Sequence, residues 1–346
     1  GQAASAEDRL PPVQPPSASF IMQLFLIPLL IVIIIVSVWL LFSWLAHKGT
    51  NPTKLVDEIE RLNHSSWQRA LTLAQQLQDS TNVELRGNSE LSGRLADVLT
   101  SELETGSNND RRVMLRVYLC KALGEFDVDA GVPALVLAAN TERDEHDLKV
   151  RQAALQAIGF YAGRTGGPAF AAAHPDALDA VLQASEESDL GGPNQQARDR
   201  LRYNAAFTLG IFGDATSIGR LKEMLLDPSN DVKFNAAAGL ARNGVADGAE
   251  ILMQMLSVSD EELLRGEKVD PEQEASWVTW KRDVVAETAL QSIQRLTELN
   301  EQITLAEFAD ALQSAAQNDQ LGKTVRVQAE SFLRQLEQSA DAVPAT

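Results

Sequence analysis

Two hydrophobic patterns divide this chain. The first is continuous: no charged residue occurs from position 10 to 46, and from Leu24 to Ala46 the run LFLIPLLIVIIIVSVWLLFSWLA is broken only by Pro28, Ser37 and Ser43. About 20 consecutive apolar residues cross the hydrocarbon core of a bilayer, so the pattern predicts a transmembrane helix over 20–46. Its surplus length fits a tilt or a kink at Pro28, and Trp39 and Trp44 stand where aromatic side chains line a membrane interface. A cleaved signal peptide is shorter and starts on a basic segment, unlike GQAASAEDRLPPVQPP. Residues 1–19, rich in Pro, Ala, Ser and Gln without periodicity, are expected to be a disordered tail.

The second pattern is periodic. A hydrophobic residue, a basic residue, a stretch rich in alanine and leucine and then a small residue recur at Leu115-Arg116 to Gly124, Val150-Arg151 to Gly159, Leu201-Arg202 to Gly210 and Val232-Lys233 to Ala241, with a looser copy at Val325-Arg326. Within one copy, Val232, Ala236 and Leu240 follow the i, i+4 spacing of a buried helical stripe. The small residue reads as the end of that helix. Before it, Ile218 to Leu226 carries its own apolar line, and in the intervening DPSND Pro228 stops one helix while Asp231 can cap the next. The same grammar pairs 54–62 with 67–77, 90–103 with 113–126, 131–139 with 150–161 and 305–315 with 325–336, while 284–299 forms a further helix. About six helical hairpins follow, with atypical first and last units as capping repeats should be. The expected fold is all-α: a right-handed α-solenoid over 54–336 behind the membrane helix, a linker at 47–53 and a second disordered tail at 337–346.

These residues resemble the HEAT-repeat family, in particular its short bacterial, phycobilisome-lyase-like form, over roughly 54–336 and best between 110 and 245. In that family an acid six positions before the basic residue joins it in a polar ladder between successive repeats. The resemblance therefore implies a ladder of Asp110 with Arg116, Glu145 with Arg151 and Asp227 with Lys233, and it departs from the pattern at Arg202 and Arg326, which Gln196 and Gln320 precede at that spacing. It implies a protein-binding scaffold, since fold alone does not specify chemistry. An alternative from the same resemblance is a lyase that attaches or detaches bilins, and a third is a purely structural subunit of a large membrane assembly.

The repeats are unevenly spaced. Positions 116, 151, 202, 233 and 326 lie 35, 51, 31 and 93 residues apart, the last gap holding a degenerate copy near Ala286. The longer gaps carry insertions, which in solenoids map to loops on one face. In one of them Trp277 and Trp280 stand beside Lys281 and Arg282. They are either an aromatic anchor for a partner or the packed start of the next helix.

Charge and candidate chemistry narrow the function. The net charge is −18, of which the first 46 residues contribute −1 (Glu7, Asp8 and Arg9), leaving −17 on the remainder. That excess repels nucleic acid and suits a protein partner with a basic surface. Lys48, Lys54 and Arg61 against Arg9 place the C-terminal region in the cytoplasm by the positive-inside rule, and the single Cys120 fits a reducing compartment. His47, His64, His146 and His174 stand apart without a metal-binding spacing. Gly322-Lys323-Thr324 imitates a phosphate loop, but Gln317 stands where the loop needs glycine; Asp227, Ser229 and Asp231 imitate a calcium loop, but Val232 and Ala238 stand where it needs glycine and glutamate. Neither a catalytic residue nor a cofactor or small-molecule substrate is expected. The functional expectation is a membrane-anchored scaffold, a tether or accessory subunit that contacts the bilayer through one helix.

Overall fold

The computed structural model describes residues 18–47 and 51–341. The chain forms two units, Gly1–Asn51 and Pro52–Thr346. The first contains helix α1 (Ala18–His47), 30 residues with Pro28 inside it, about 45 Å long at 1.5 Å per residue. Side chains are described at Met22 and from Phe25 to Leu41. Every large apolar side chain among them is exposed, from Val36 and Val38 at 45% to Phe25 at 69%. Over the described residues no helix is long and apolar enough to cross a membrane. Residues 1–17 of the expected tail, 48–50 of the expected linker, 342–346 of the second tail and the Trp44 side chain lie outside the described residues, whereas Ala18 and Ser19 belong to α1 and Pro52 and Thr53 to α2.

The described residues of the second unit form helices joined by turns and loops, with no strand among them. Its helices are α2 (Pro52–Glu60), α3 (Ser66–Gln78), α4 (Val83–Arg86), α5 (Ser89–Thr105), α6 (Asp110–Glu125), α7 (Val132–Asn140), α8 (Asp147–Thr165) and α9 (Gly167–Ala173). They continue with α10 (Pro175–Glu186), α11 (Gln195–Phe212), α12 (Ala215–Met224), α13 (Asn230–Arg242), α14 (Ala249–Met255), α15 (Asp260–Leu264), α16 (Glu274–Leu299), α17 (Ala309–Gln317) and α18 (Lys323–Asp341). Seven hairpins result: α2/α3, α5/α6, α7/α8, α10/α11, α12/α13, α14/α16 and α17/α18. Their second helices pack in series, α3 on α6, α6 on α8, α8 on α11, α11 on α13, α13 on α16 and α16 on α18. The seventh hairpin arises because α14 supplies a first helix for α16, which starts ten residues before the expected Val284. Helix α18 also runs to Asp341, into the stretch expected as a tail.

Local chemistry sets the helix ends. Asn88, Asn109 and Asp214 accept hydrogen bonds from backbone N–H groups of the first turns of α5, α6 and α12, and Ser259 with Glu262 closes a capping box on α15. The small residue of the repeat has a different job from the one its position suggests. Gly124, Gly159 and Gly210 lie inside α6, α8 and α11, which run on to Glu125, Thr165 and Phe212. A Cβ on Gly124 would lie 2.6 Å from the Cβ of Ala157, and one on Gly210 2.6 Å from the Cα of Gly239. Glycine is there because neighbouring second helices touch backbone to backbone.

Two apolar cores fill the array. One runs from Leu55 to Leu240 and the other from Phe234 to Phe332. They meet on α13, whose Val232, Ala236 and Leu240 belong to the first while Phe234, Ala237 and Ala241 belong to the second.

Candidate functional site

The second helices carry a row of basic residues along one edge of the hairpins. Arg116 is fully buried; its guanidinium donates to the carbonyls of Glu102 (3.4 Å) and Ser107 (3.0 Å) and lies 3.6 Å from Asp147. Arg151 donates Nε to the Ala139 carbonyl at 2.7 Å and pairs with Glu142 and Glu187, which Arg198 also bridges. Arg202 holds Asp227 in a two-pronged pair at 2.7 and 3.0 Å, reaches Asp199 at 2.8 Å and donates to the Glu187 carbonyl at 2.8 Å. One rule covers all three. Each arginine binds a carbonyl near the C-terminus of its own hairpin's first helix, where a cation is favoured, and a carboxylate from the following hairpin.

The acids that complete the row are therefore not the ones six positions upstream. Asp110 and Glu145 are exposed and form no ion pair within 4 Å among the described residues. Asp227 does join the row, but through Arg202 and not Lys233. Lys233 is half-buried and makes no ion pair within 4 Å among the described residues. Among the described residues Arg326 pairs with Asp319 at 3.2 Å, a carboxylate 96% exposed. A further member is Arg282, buried on α16, which pairs with Asp260 and sits 3.5 Å from the Gln320 carbonyl of the last hairpin. Its position in the helix was the available signal, but Lys281 precedes it where the repeat has a hydrophobic residue.

Burial and pairing compete at these charges. Burial pushes the Glu102 carboxyl up against the pull of Arg112 and Arg116, and burial likewise lowers the Arg116 guanidinium. At Asp147 burial acts upward, yet the hydrogen bonds from Arg143 and the charges of Arg143 and Arg116 hold it below the usual carboxylate range. Glu142 is held down in the same way, against burial, by Arg198 and Arg151.

A groove of about 420 Å³ opens among α11, α13, α16 and the loop after α15. The sequence-predicted pair Trp277 and Trp280 line it from the first turns of α16. Trp277 is half-buried and packs against the second core, whereas Trp280 is 60% exposed. The Lys281 ammonium sits 4.8 Å from the Trp277 ring centroid, within cation–π range, and bonds Asp231 at 2.9 Å and Glu267 at 3.2 Å. Glu267 also accepts from Gln196 at 3.0 Å and faces Arg200 at 3.6 Å. The sequence did not single out Tyr203, 41% exposed on α11, or Asn235 of α13, whose amide donates to the Tyr203 carbonyl at 3.0 Å. Their only shared signal is the insertion that brings α16 beside them.

The remaining candidates fall in separate surroundings. Trp39 is 66% exposed on α1. His146 contacts Asp144 at 3.1 Å, the ring of His174 packs on Phe170, and His64 is exposed. Among the described residues no group of three His, Cys, Asp or Glu side chains could hold a metal ion. Cys120 is buried on α6, which pushes its thiol up to about 12. The Gly322 amide donates to Asp283 at 2.8 Å at the entry to α18, and Asp227 accepts from the Ser229 amide at 2.8 Å while holding Arg202.

Residues 194–268 match the family model described as HEAT repeats. That segment holds α11 to α15 and, of the groove's walls, α11, α13 and the loop after α15. HEAT repeats are modules that mediate protein–protein interaction, and the helical hairpins in series agree with that architecture. No curated protein matches the chain.

Proposed function

We propose that this chain is a single-pass, membrane-anchored HEAT-like scaffold that binds a partner protein, as a tether or an accessory subunit of a membrane complex. The observation that carries the binding half is the groove: an exposed Trp280 beside Trp277 and Tyr203, on helices of which α11 is tied through Arg202 to the turn before α13. Aromatic side chains and arginines in such clefts dominate interface energetics. The array would act by shape, presenting successive second helices as one rigid surface. It has no catalytic role in this reading.

The anchor is a reading of the apolar sequence of α1, whose described residues by themselves do not amount to a membrane-crossing helix. Its 30 helical residues include no Asp, Glu, Lys or Arg, and its described aliphatic side chains are all exposed. Leaving each such side chain in water forgoes about 1.5–3 kcal/mol, and a contiguous apolar surface of this extent marks a membrane or partner contact. With the basic residues after the helix on the inner side, the array faces the cytoplasm.

Crosslinking in cells, followed by detergent extraction and mass spectrometry, tests both halves when the full chain is compared with one beginning at Pro52. The full chain should resist alkaline carbonate extraction and retain a stoichiometric partner. A full chain released by carbonate removes the anchor, and loss of every partner from both chains removes the scaffold.

A further inference from the structure

The charges inside the groove favour a ligand opposite to the one that the net charge invites. All three acids lining it are already engaged: Asp199 holds Arg202, and Asp231 and Glu267 hold Lys281. What is left over is cationic. Arg265 is exposed and forms no ion pair within 4 Å among the described residues; Glu262, whose carboxylate feels its charge, is engaged with Ser259 in the capping box. Arg200 is 58% exposed, and its one carboxylate, 3.6 Å away, is Glu267, which already serves Lys281 and Gln196. Two guanidiniums without a dedicated carboxylate thus line the same groove as an exposed indole.

We propose that this groove takes a short acidic segment of a partner protein, with a large apolar side chain seated against Trp280 and carboxylates paired with Arg200 and Arg265. The inference rests on the reading of the array as a protein-binding scaffold. Guanidinium–carboxylate pairs are charge-assisted and geometrically selective, and an arginine–tryptophan combination is the usual composition of a binding hot spot. The surplus of acids elsewhere does not forbid this: charges beyond about 8 Å are largely screened at physiological salt, and the three acids inside the groove are spent on Arg202 and Lys281. A long polyanion such as nucleic acid, by contrast, would extend over the acidic surface outside the groove.

The test uses the full chain in detergent micelles, offered a displayed library of random nine-residue peptides. A second selection uses the full chain carrying Arg200→Glu, Arg265→Glu and Trp280→Ala, all at exposed positions. Enriched peptides are then resynthesised with a fluorophore and titrated by anisotropy, with Arg295→Glu, an exposed site on the far part of α16, as a control. The expected result is enrichment of Asp and Glu around a Phe, Leu or Trp. Affinity should fall tenfold or more for Arg200→Glu combined with Arg265→Glu and for Trp280→Ala alone, and stay unchanged for Arg295→Glu. Enrichment of basic or uncharged peptides, equal affinity for the triple variant, or no enrichment overturns the assignment. Repeating the in-cell crosslinking with the triple variant separates the two readings. If the wild-type partner is still captured, the scaffold stands and only the groove assignment falls.

Discussion

The array has a stitched half and an open half. From α6 to α11, Arg116, Arg151 and Arg202 each join a carbonyl of their own hairpin to a carboxylate of the next, and all three are at most 5% exposed. From α13 onward the stitching changes: Lys233 forms no close ion pair among the described residues, Arg282 pairs with Asp260 of its own hairpin, and Arg326 holds an exposed acid. The groove lies where the pattern breaks. The difference teaches that a row of buried guanidiniums does two things at once, neutralising helix C-termini and fixing the register of adjacent hairpins. Where a lysine with one point charge replaces the planar fork, neighbours can be held apart by an insertion instead.

The largest test of this contrast is removal of a stitch. Arg116→Ala leaves the Glu102 and Ser107 carbonyls without their donor in a dry site and removes the further guanidinium from Asp147, which keeps Arg143; each buried group left unsatisfied costs about 1–3 kcal/mol. Arg326→Ala, at an exposed pair, should cost under ~1 kcal/mol. Urea unfolding of the two variants checks the gap, and equal losses would mean that the two halves are held in the same way. Next in size is the backbone contact. Gly210→Val must push α11 off Gly239 and should cost about 1–3 kcal/mol, whereas Gly219→Ala in α12 meets nothing within 4 Å and should gain up to ~1 kcal/mol from helix propensity. Thermal melts of both report the sign directly.

Acid gives a subtler test. Asp147 and Glu142 have carboxyl groups held below their usual values in the folded chain. Such groups contribute stability above the unfolded carboxylate value, and it is lost as pH falls through their lower folded values. Glu102 is shifted up, so its contribution has the opposite sense: present below the unfolded value and lost as pH rises through the raised one. With two lowered groups against one raised, amide protection over 142–151 should decline as pH is taken below about 4; unchanged protection there would contradict the pairing geometry. The smallest effect is at Cys120. With its thiol pushed up to about 12 by burial, it should resist iodoacetamide at pH 8 until α6 opens. Faster labelling in Arg116→Ala would place that opening at the stitch.

Helices were readable wherever an apolar stripe was long and ended in a recognisable turn, as in 218–226 and 232–244. The first helices α10 and α14 were harder to read. Helix α10 sits inside an insertion, and the short α14 has only Leu252 and Met255 as buried residues. The basic residues of the row were legible because they recur within similar helices. Their acids were not, because each comes from the following hairpin across a connection of variable length: Glu187 lies 36 residues after Arg151 and Asp227 lies 25 after Arg202. The groove was legible only at Trp277 and Trp280. Its other walls sit on two earlier hairpins, and only folding makes them neighbours.

The two cores that share α13 have a mechanical consequence. A repeat array stands or melts by the sum of its nearest-neighbour interfaces, and here a single 13-residue helix is the common plank of both halves. Heated or pulled, such a chain should fracture at that plank instead of dissolving evenly. The severed piece ahead of it would keep its arginine stitches and outlast the piece behind.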